Sequence, residues 1–175
     1  NFTTATNALN TAVGHNAGIA VTTGIENTLI GGNAGDALTD ADFNVAIGTD
    51  ALASDTLGSR SVAIGRRTLA AQNFTSATDT YNVAVGFEAG NDVTTGTNNT
   101  LIGGLAGDAL TTGASNVAVG YNALSSDTAG KFNVAIGEGS LASQNNTGTD
   151  IFNTAVGYSA GNAVSSGTQN TFFGG

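Results

Sequence analysis

One pentapeptide, Asn-(Thr/Val)-(Ala/Leu)-(Val/Ile)-Gly, returns ten times along the 175-residue chain, with small departures at Ser61 and in the last copy. Its glycines fall at Gly14, Gly31, Gly48, Gly65, Gly86, Gly103, Gly120, Gly137, Gly157 and Gly174. The intervals are 17, 17, 17, 21, 17, 17, 17, 20 and 17 residues. A fixed period of this length means a stack of thin coils, each burying its apolar residues against the next. A globule around one thick core is excluded. Every fourth interval is longer, so the single array spanning 1-175 divides into super-repeats at roughly 10-81, 82-152 and a partial 153-175. The chain reads as a segment of something longer.

Counting each unit from its glycine as position 0, the columns show strand character. Position −1 runs Val13, Ile30, Ile47, Ile64, Val85, Ile102, Val119, Ile136, Val156, Phe173, and position −3 is always Thr or Val. β-Branched residues alternating on one face favour a strand and predict that this face is core. Position −2 is Ala or Leu, with Phe172 in the last unit, so the opposite face is apolar as well. A strand apolar on both sides is covered on both sides. The −2 stripe is therefore expected to be covered by another copy of the chain, in a closed side-by-side assembly. At position −4 stand Asn10, Asn27, Asn44, Asn82, Asn99, Asn116, Asn133, Asn153 and Asn170, with Ser61 between. Amides repeated at one position of a stack predict a structural ladder along the axis.

The second half of each unit supplies a small residue at +3, a Thr-rich turn at +8 and usually Gly at +10, which makes two short strands and two turns per coil. Position +4 runs Gly18, Gly35, Leu52, Leu69, Gly90, Gly107, Leu124, Leu141, Gly161. Position +7 runs Val21, Leu38, Asp55, Gln72, Val93, Leu110, Asp127, Gln144, Val164. The opposed pattern predicts one core slot filled from either position, with Asp55, Gln72, Asp127 and Gln144 facing solvent or a turn. The fold class is all-β, a parallel β-solenoid of about ten 17-residue coils.

Composition narrows the function. Formal charge is −9, with only Arg60, Arg66, Arg67 and Lys131 as fixed cations, which disfavours nucleic acid and anionic membrane surfaces. The chain has no Cys and a single His, and no apolar run approaches the ~20 residues of a membrane helix. No nucleophile–base motif or phosphate loop stands out from the repeat background, so no catalytic residue, metal ligand or cofactor is expected. Asp36, Asp40 and Asp42 read as a solvated acidic surface.

The runs Asn44-Val-Ala-Ile-Gly48, Ser61-Val-Ala-Ile-Gly65 and Asn133-Val-Ala-Ile-Gly137 resemble the head repeats of YadA-like trimeric autotransporter adhesins, and similar repeats occur in bacteriophage tail fibres. The resemblance implies a left-handed β-roll, a side-by-side homotrimer, and an extracellular place on a bacterial cell surface or a virion tail. It implies a structural or attachment module: an adhesin head or tail fibre binding a host or cell-surface glycan or protein receptor. A self-assembling extracellular filament and a polysaccharide-degrading tail fibre are the alternatives. The expanded units, Asn73 to Tyr81 and Asn145 to Phe152, predict loops on one face. Their Phe74, Asp79, Tyr81, Asp150, Ile151 and Phe152, together with Arg66 and Arg67, are the candidate receptor contacts, and the same aromatics could equally seal an interface between chains.

Overall fold

A computed structural model describes residues 8–147 and 150–175. It is an all-β parallel solenoid with about nine turns. Ten three-residue strands pair in chain order into one parallel sheet: β1 (Thr11–Val13), β2 (Thr28–Ile30), β3 (Val45–Ile47), β5 (Val62–Ile64), β7 (Val83–Val85), β8 (Thr100–Ile102), β9 (Val117–Val119), β10 (Val134–Ile136), β11 (Thr154–Val156) and β12 (Thr171–Phe173). Two further strands, β4 (Gly58–Ser59) and β6 (Thr78–Asp79), form a short second pair. Pairing matches column to column, as in Val45↔Val62 and, across the 21-residue interval, Val62↔Val83. The extra residues are therefore expelled without shifting the register.

The glycine at position 0 is where the stack is tightest. Gly48 has φ 136°, and a Cβ there would lie 2.4 Å from the carbonyl oxygen of Gly65. Only a residue without a side chain fits both that conformation and that approach.

Which strand face is inside differs from the sequence expectation. The −2 side chains Leu29, Ala46, Ala63, Ala84, Leu101, Ala118, Ala135 and Ala155 have zero exposure and line the core. The −1 and −3 side chains point outward: Ile30, Ile102 and Ile136 are 37–40% exposed and the intervening ones half-buried. The reason is steric. The coil is thin, the +3, +4 and +7 side chains already fill its interior, and a mostly Ala column fits the remaining space. β-Branching reports strand conformation and not burial.

The −4 asparagines tie the coils together twice. Each side-chain oxygen accepts the backbone N–H of the next rung's −4 residue, as from Asn44 to Asn27 at 2.9 Å and from Asn116 to Asn99 at 3.0 Å. The Nδ2 groups of Asn10, Asn27, Asn44, Asn82, Asn99, Asn116 and Asn153 donate across the coil to the carbonyl 14 residues on, as Asn99 does to Gly113 at 2.9 Å, whereas Asn133 Nδ2 turns to Asn116 Oδ1 and Asp127 Oδ2. Buried amides hydrogen-bonded on both ends hold the two walls at a fixed separation.

The +4/+7 expectation is half corrected. Leu52, Leu69, Leu124 and Leu141 are fully buried, but so are Asp55, Gln72, Asp127 and Gln144. Asp55 Oδ1 accepts the N–H of Gly58 and of Phe74, both at 3.0 Å, and its Oδ2 accepts Gln72 Nε2 at 2.6 Å. Gln72 Nε2 also reaches Ser61 Oγ, while Gln72 Oε1 accepts Asn82 Nδ2 at 2.9 Å. Asp127 and Gln144 repeat this at the second long interval, where the loop donor is the N–H of Asn146 at 3.3 Å. Each carboxylate supplies an acceptor for one N–H of its own turn, Gly58 or Gly130, and for one of the following long coil, Phe74 or Asn146.

The loop after Phe74 divides in two. Thr75, Ser76 and Ala77 are exposed, whereas Thr78 begins β6 and pairs with Gly58. Deleting Thr75 to Ala77 is expected to cost less than about 1 kcal/mol, since it shortens a surface loop. Deleting Thr94 to Gly96 from a regular coil displaces the columns and should unfold the array. Equal losses in thermal melts would refute this division of the coil.

Candidate attachment surface

The outward face of the long sheet carries a run of partly exposed apolar side chains along the stack. Two columns of Val, Ile and Thr run its length, from Thr11 and Val13 to Thr171 and Phe173. At about 4.8 Å per rung, nine intervals make a stripe on the order of 43 Å long. The columns at −5 and +1 border the stripe on either side.

The −5 border is built on left-handed backbone, with Phe43 at φ 60°, Arg60 at 65°, Tyr81 at 50°, Phe132 at 61° and Phe152 at 55°. The Arg60 guanidinium lies 4.8 Å from the Phe43 ring centre and 6.0 Å from that of Tyr81, and its Nε is 2.8 Å from Asp79 Oδ1. That hydrogen-bonded carboxylate pushes the Arg60 pKa up. Further along, Phe132 and Phe152 stack with centroids 5.0 Å apart. On the +1 border, Arg66 lies 5.6 Å from the Phe87 ring centre, and Tyr121 and Tyr158 are 53% and 67% exposed.

The candidate receptor contacts separate by burial. Asp79, Tyr81, Asp150 and Phe152 are exposed, so they are available to a partner. Phe74 and Ile151 are buried, at 7% and 0%, so they do not project from the loops. Gly148 and Thr149, in the second loop, lie outside the described residues. Arg66 and Arg67 both contact Glu88 Oε1, at 3.3 and 3.0 Å, which makes them an ion-paired cluster. Phe43, Arg60 and Phe132 were not singled out from the sequence. Their signal was the −5 column itself, where large side chains recur before the strand.

On another side of the coil, Ala53, Ala70 and Ala71 floor a shallow cavity of about 280 Å³ walled by Asp50, Arg67, Asn91 and Asp92. Nearby, burial, with Asp50 adding to it, raises the pKa of Asp36, and burial, with Asp92 and Glu88 adding to it, raises that of Asp108. Asp40 and Asp42 accept hydrogen bonds from Thr23 and the Ile25 N–H of the preceding coil. Among the described residues no three His, Cys, Asp or Glu side chains gather where they could hold a metal ion, and no helix is long and apolar enough to cross a membrane.

No protein-family model matches the chain, and neither a curated protein nor a solved structure matches it.

Proposed function

We propose that this chain is a structural and attachment module of an extracellular fibre, an adhesin head or tail-fibre segment, assembled as a side-by-side homotrimer. The observation that carries the reading is the outward −1/−3 face, whose −1 column is Val, Ile or Phe in every rung beside a −3 column of Val and Thr, and which is partly open to water in a single copy. A partly exposed apolar stripe of this length favours a partner surface. Three copies facing one axis would bury it and leave the acidic outer walls in water. The pentapeptide's resemblance to adhesin and tail-fibre repeats supports the same assembly.

Light scattering at micromolar concentration is expected to give three times the chain mass. Ile102→Lys with Ile136→Lys, both on the outward face, should dissociate the assembly into folded monomers that keep their β circular dichroism. A wild-type monomer, or a double variant that remains trimeric, would reject the reading. For the attachment part, the trimer coated on beads is expected to retain bacterial or host cells above uncoated beads.

A further inference from the structure

Resting on the proposed assembly, we infer that the two aromatic borders of the outward face dock on each other between neighbouring copies and set their alignment rung for rung. A partner touching every rung must itself repeat at about 4.8 Å, and a second copy of this chain does. From −5 to +1 the face is at most about 20 Å wide, so with its length it offers each copy on the order of 850 Å² to divide between its two neighbours in the ring, and the area buried per copy, summed over both contacts, reaches that of one standard interface. Copies lying parallel around a common axis meet head to tail, the −5 border of one against the +1 border of the next. A closed ring permits no axial offset between them, because every copy would add the same rise and the ring would become a helix.

With zero offset, Tyr81 faces Phe87 of the partner subunit, and Phe152 faces Tyr158 of the partner subunit. These four rings belong to the two rungs whose glycines are Gly86 and Gly157, the rungs where both borders are aromatic, and all four are 47–67% exposed in one copy. Sliding by one rung in either direction leaves a single aromatic pair. The alignment also brings Arg60 to the rung of the partner's Arg66, and each cation already holds its own acid, Asp79 at 2.8 Å and Glu88 at 3.3 Å. Repulsion at that rung is thereby reduced.

The chain contains no cysteine, so paired substitutions introduce the only thiols. Positions 81 and 87 flank β7 (Val83–Val85) on opposite sides, with at most about 20 Å between them and the extended strand holding them beyond the Cα separation of about 7 Å that a disulfide tolerates. Oxidising Tyr81→Cys/Phe87→Cys, and independently Phe152→Cys/Tyr158→Cys, is expected to give covalent trimers on denaturing gels. Tyr81→Cys/Tyr121→Cys, offset by two rungs, should stay uncrosslinked. All replaced side chains are exposed, so folding is checked by circular dichroism of the reduced proteins. Covalent dimers from Tyr81→Cys alone would overturn the inference by showing like borders in contact. A covalent dimer from the first pair would overturn the three-copy ring. An intact trimer by light scattering with no crosslink in either pair would overturn the border docking while leaving the proposed function standing, and a monomer would reject both.

Discussion

Asp127→Ala is expected to destabilise the folded chain by about 2–4 kcal/mol, read as a lowered denaturation midpoint at matched protein concentration. The carboxylate has zero exposure. Its Oδ1 accepts the N–H of Gly130 at 3.0 Å and of Asn146 at 3.3 Å, and its Oδ2 accepts Gln144 Nε2 at 2.6 Å and Asn133 Nδ2 at 3.4 Å. Asn133 Nδ2 keeps Asn116 Oδ1 at 3.1 Å, but alanine takes the acceptor from the Gly130 and Asn146 N–H groups and from Gln144 Nε2, and each unpaired buried donor costs about 1–3 kcal/mol. Asp127→Asn is the informative companion. It keeps one acceptor oxygen but presents an amide N–H to Gln144 Nε2, so its loss should be smaller and should not vanish. Asp55→Ala is expected to behave alike, because Gly58, Phe74 and Gln72 occupy the same places around it. Exposed Ser126→Ala should stay within about 0.5 kcal/mol. A comparable near-zero effect for Asp127→Ala would mean that water enters the coil there.

That carboxylate marks the boundary of what the sequence made legible. The array, the first strand of each coil and the register were readable because a regular spacing of glycines and β-branched residues leaves a stack of strands as the arrangement that repeats. The second strand expected in every coil forms among the described residues only as the short pair β4 and β6, the other coils making that wall from turns and bends. The sidedness of the strand was not readable. Val and Ile at −1 and −3 look like core by hydrophobicity, yet the coil is too thin to hold them, and Ala at −2 goes inside. Polarity misled in the same way at +7: Asp and Gln are inside, where each carboxylate accepts one N–H of its own turn and one of the following long coil. The signal was present, since Asp55 and Asp127 each precede an expanded unit and Gln72 and Gln144 each lie within one. The aromatic borders depended on left-handed backbone at Phe43, Tyr81, Phe132 and Phe152, a conformation that non-glycine residues seldom adopt and that no local pattern announces.

The +4 column leads to the other large effect, Leu124→Ala, expected to cost about 2–5 kcal/mol per chain as a fully buried large-to-small change. Leu124 is held at φ 55° with zero exposure, so the burial outweighs a backbone penalty of about 1–2 kcal/mol. The structure adds a third column, −2, to the compensation between +4 and +7. In the glycine units the space over position +4 is shared by the +7 side chain and the −2 leucine: a Cβ on Gly35 would lie 2.8 Å from both Leu38 Cδ1 and Leu29 Cδ2, and one on Gly18 2.7 Å from Leu29 Cδ1 and 3.4 Å from Val21 Cγ2. Leu101 sits between Gly90 and Gly107 in the same way. Leu124 and Leu141 instead flank Ala135, so one large residue between two small ones is exchanged for one small residue between two large ones. Ala135→Leu alone should therefore overpack the coil and cost about 1–3 kcal/mol. Added to Leu124→Gly with Leu141→Gly, which together reproduce the trio of Gly18, Leu29 and Gly35, it should restore at least about 1 kcal/mol relative to that double variant. Such a reversal of sign is the coupling expected of side chains that share one volume. If Ala135→Leu destabilises the double variant as much as it does the wild type, the three positions do not share a slot.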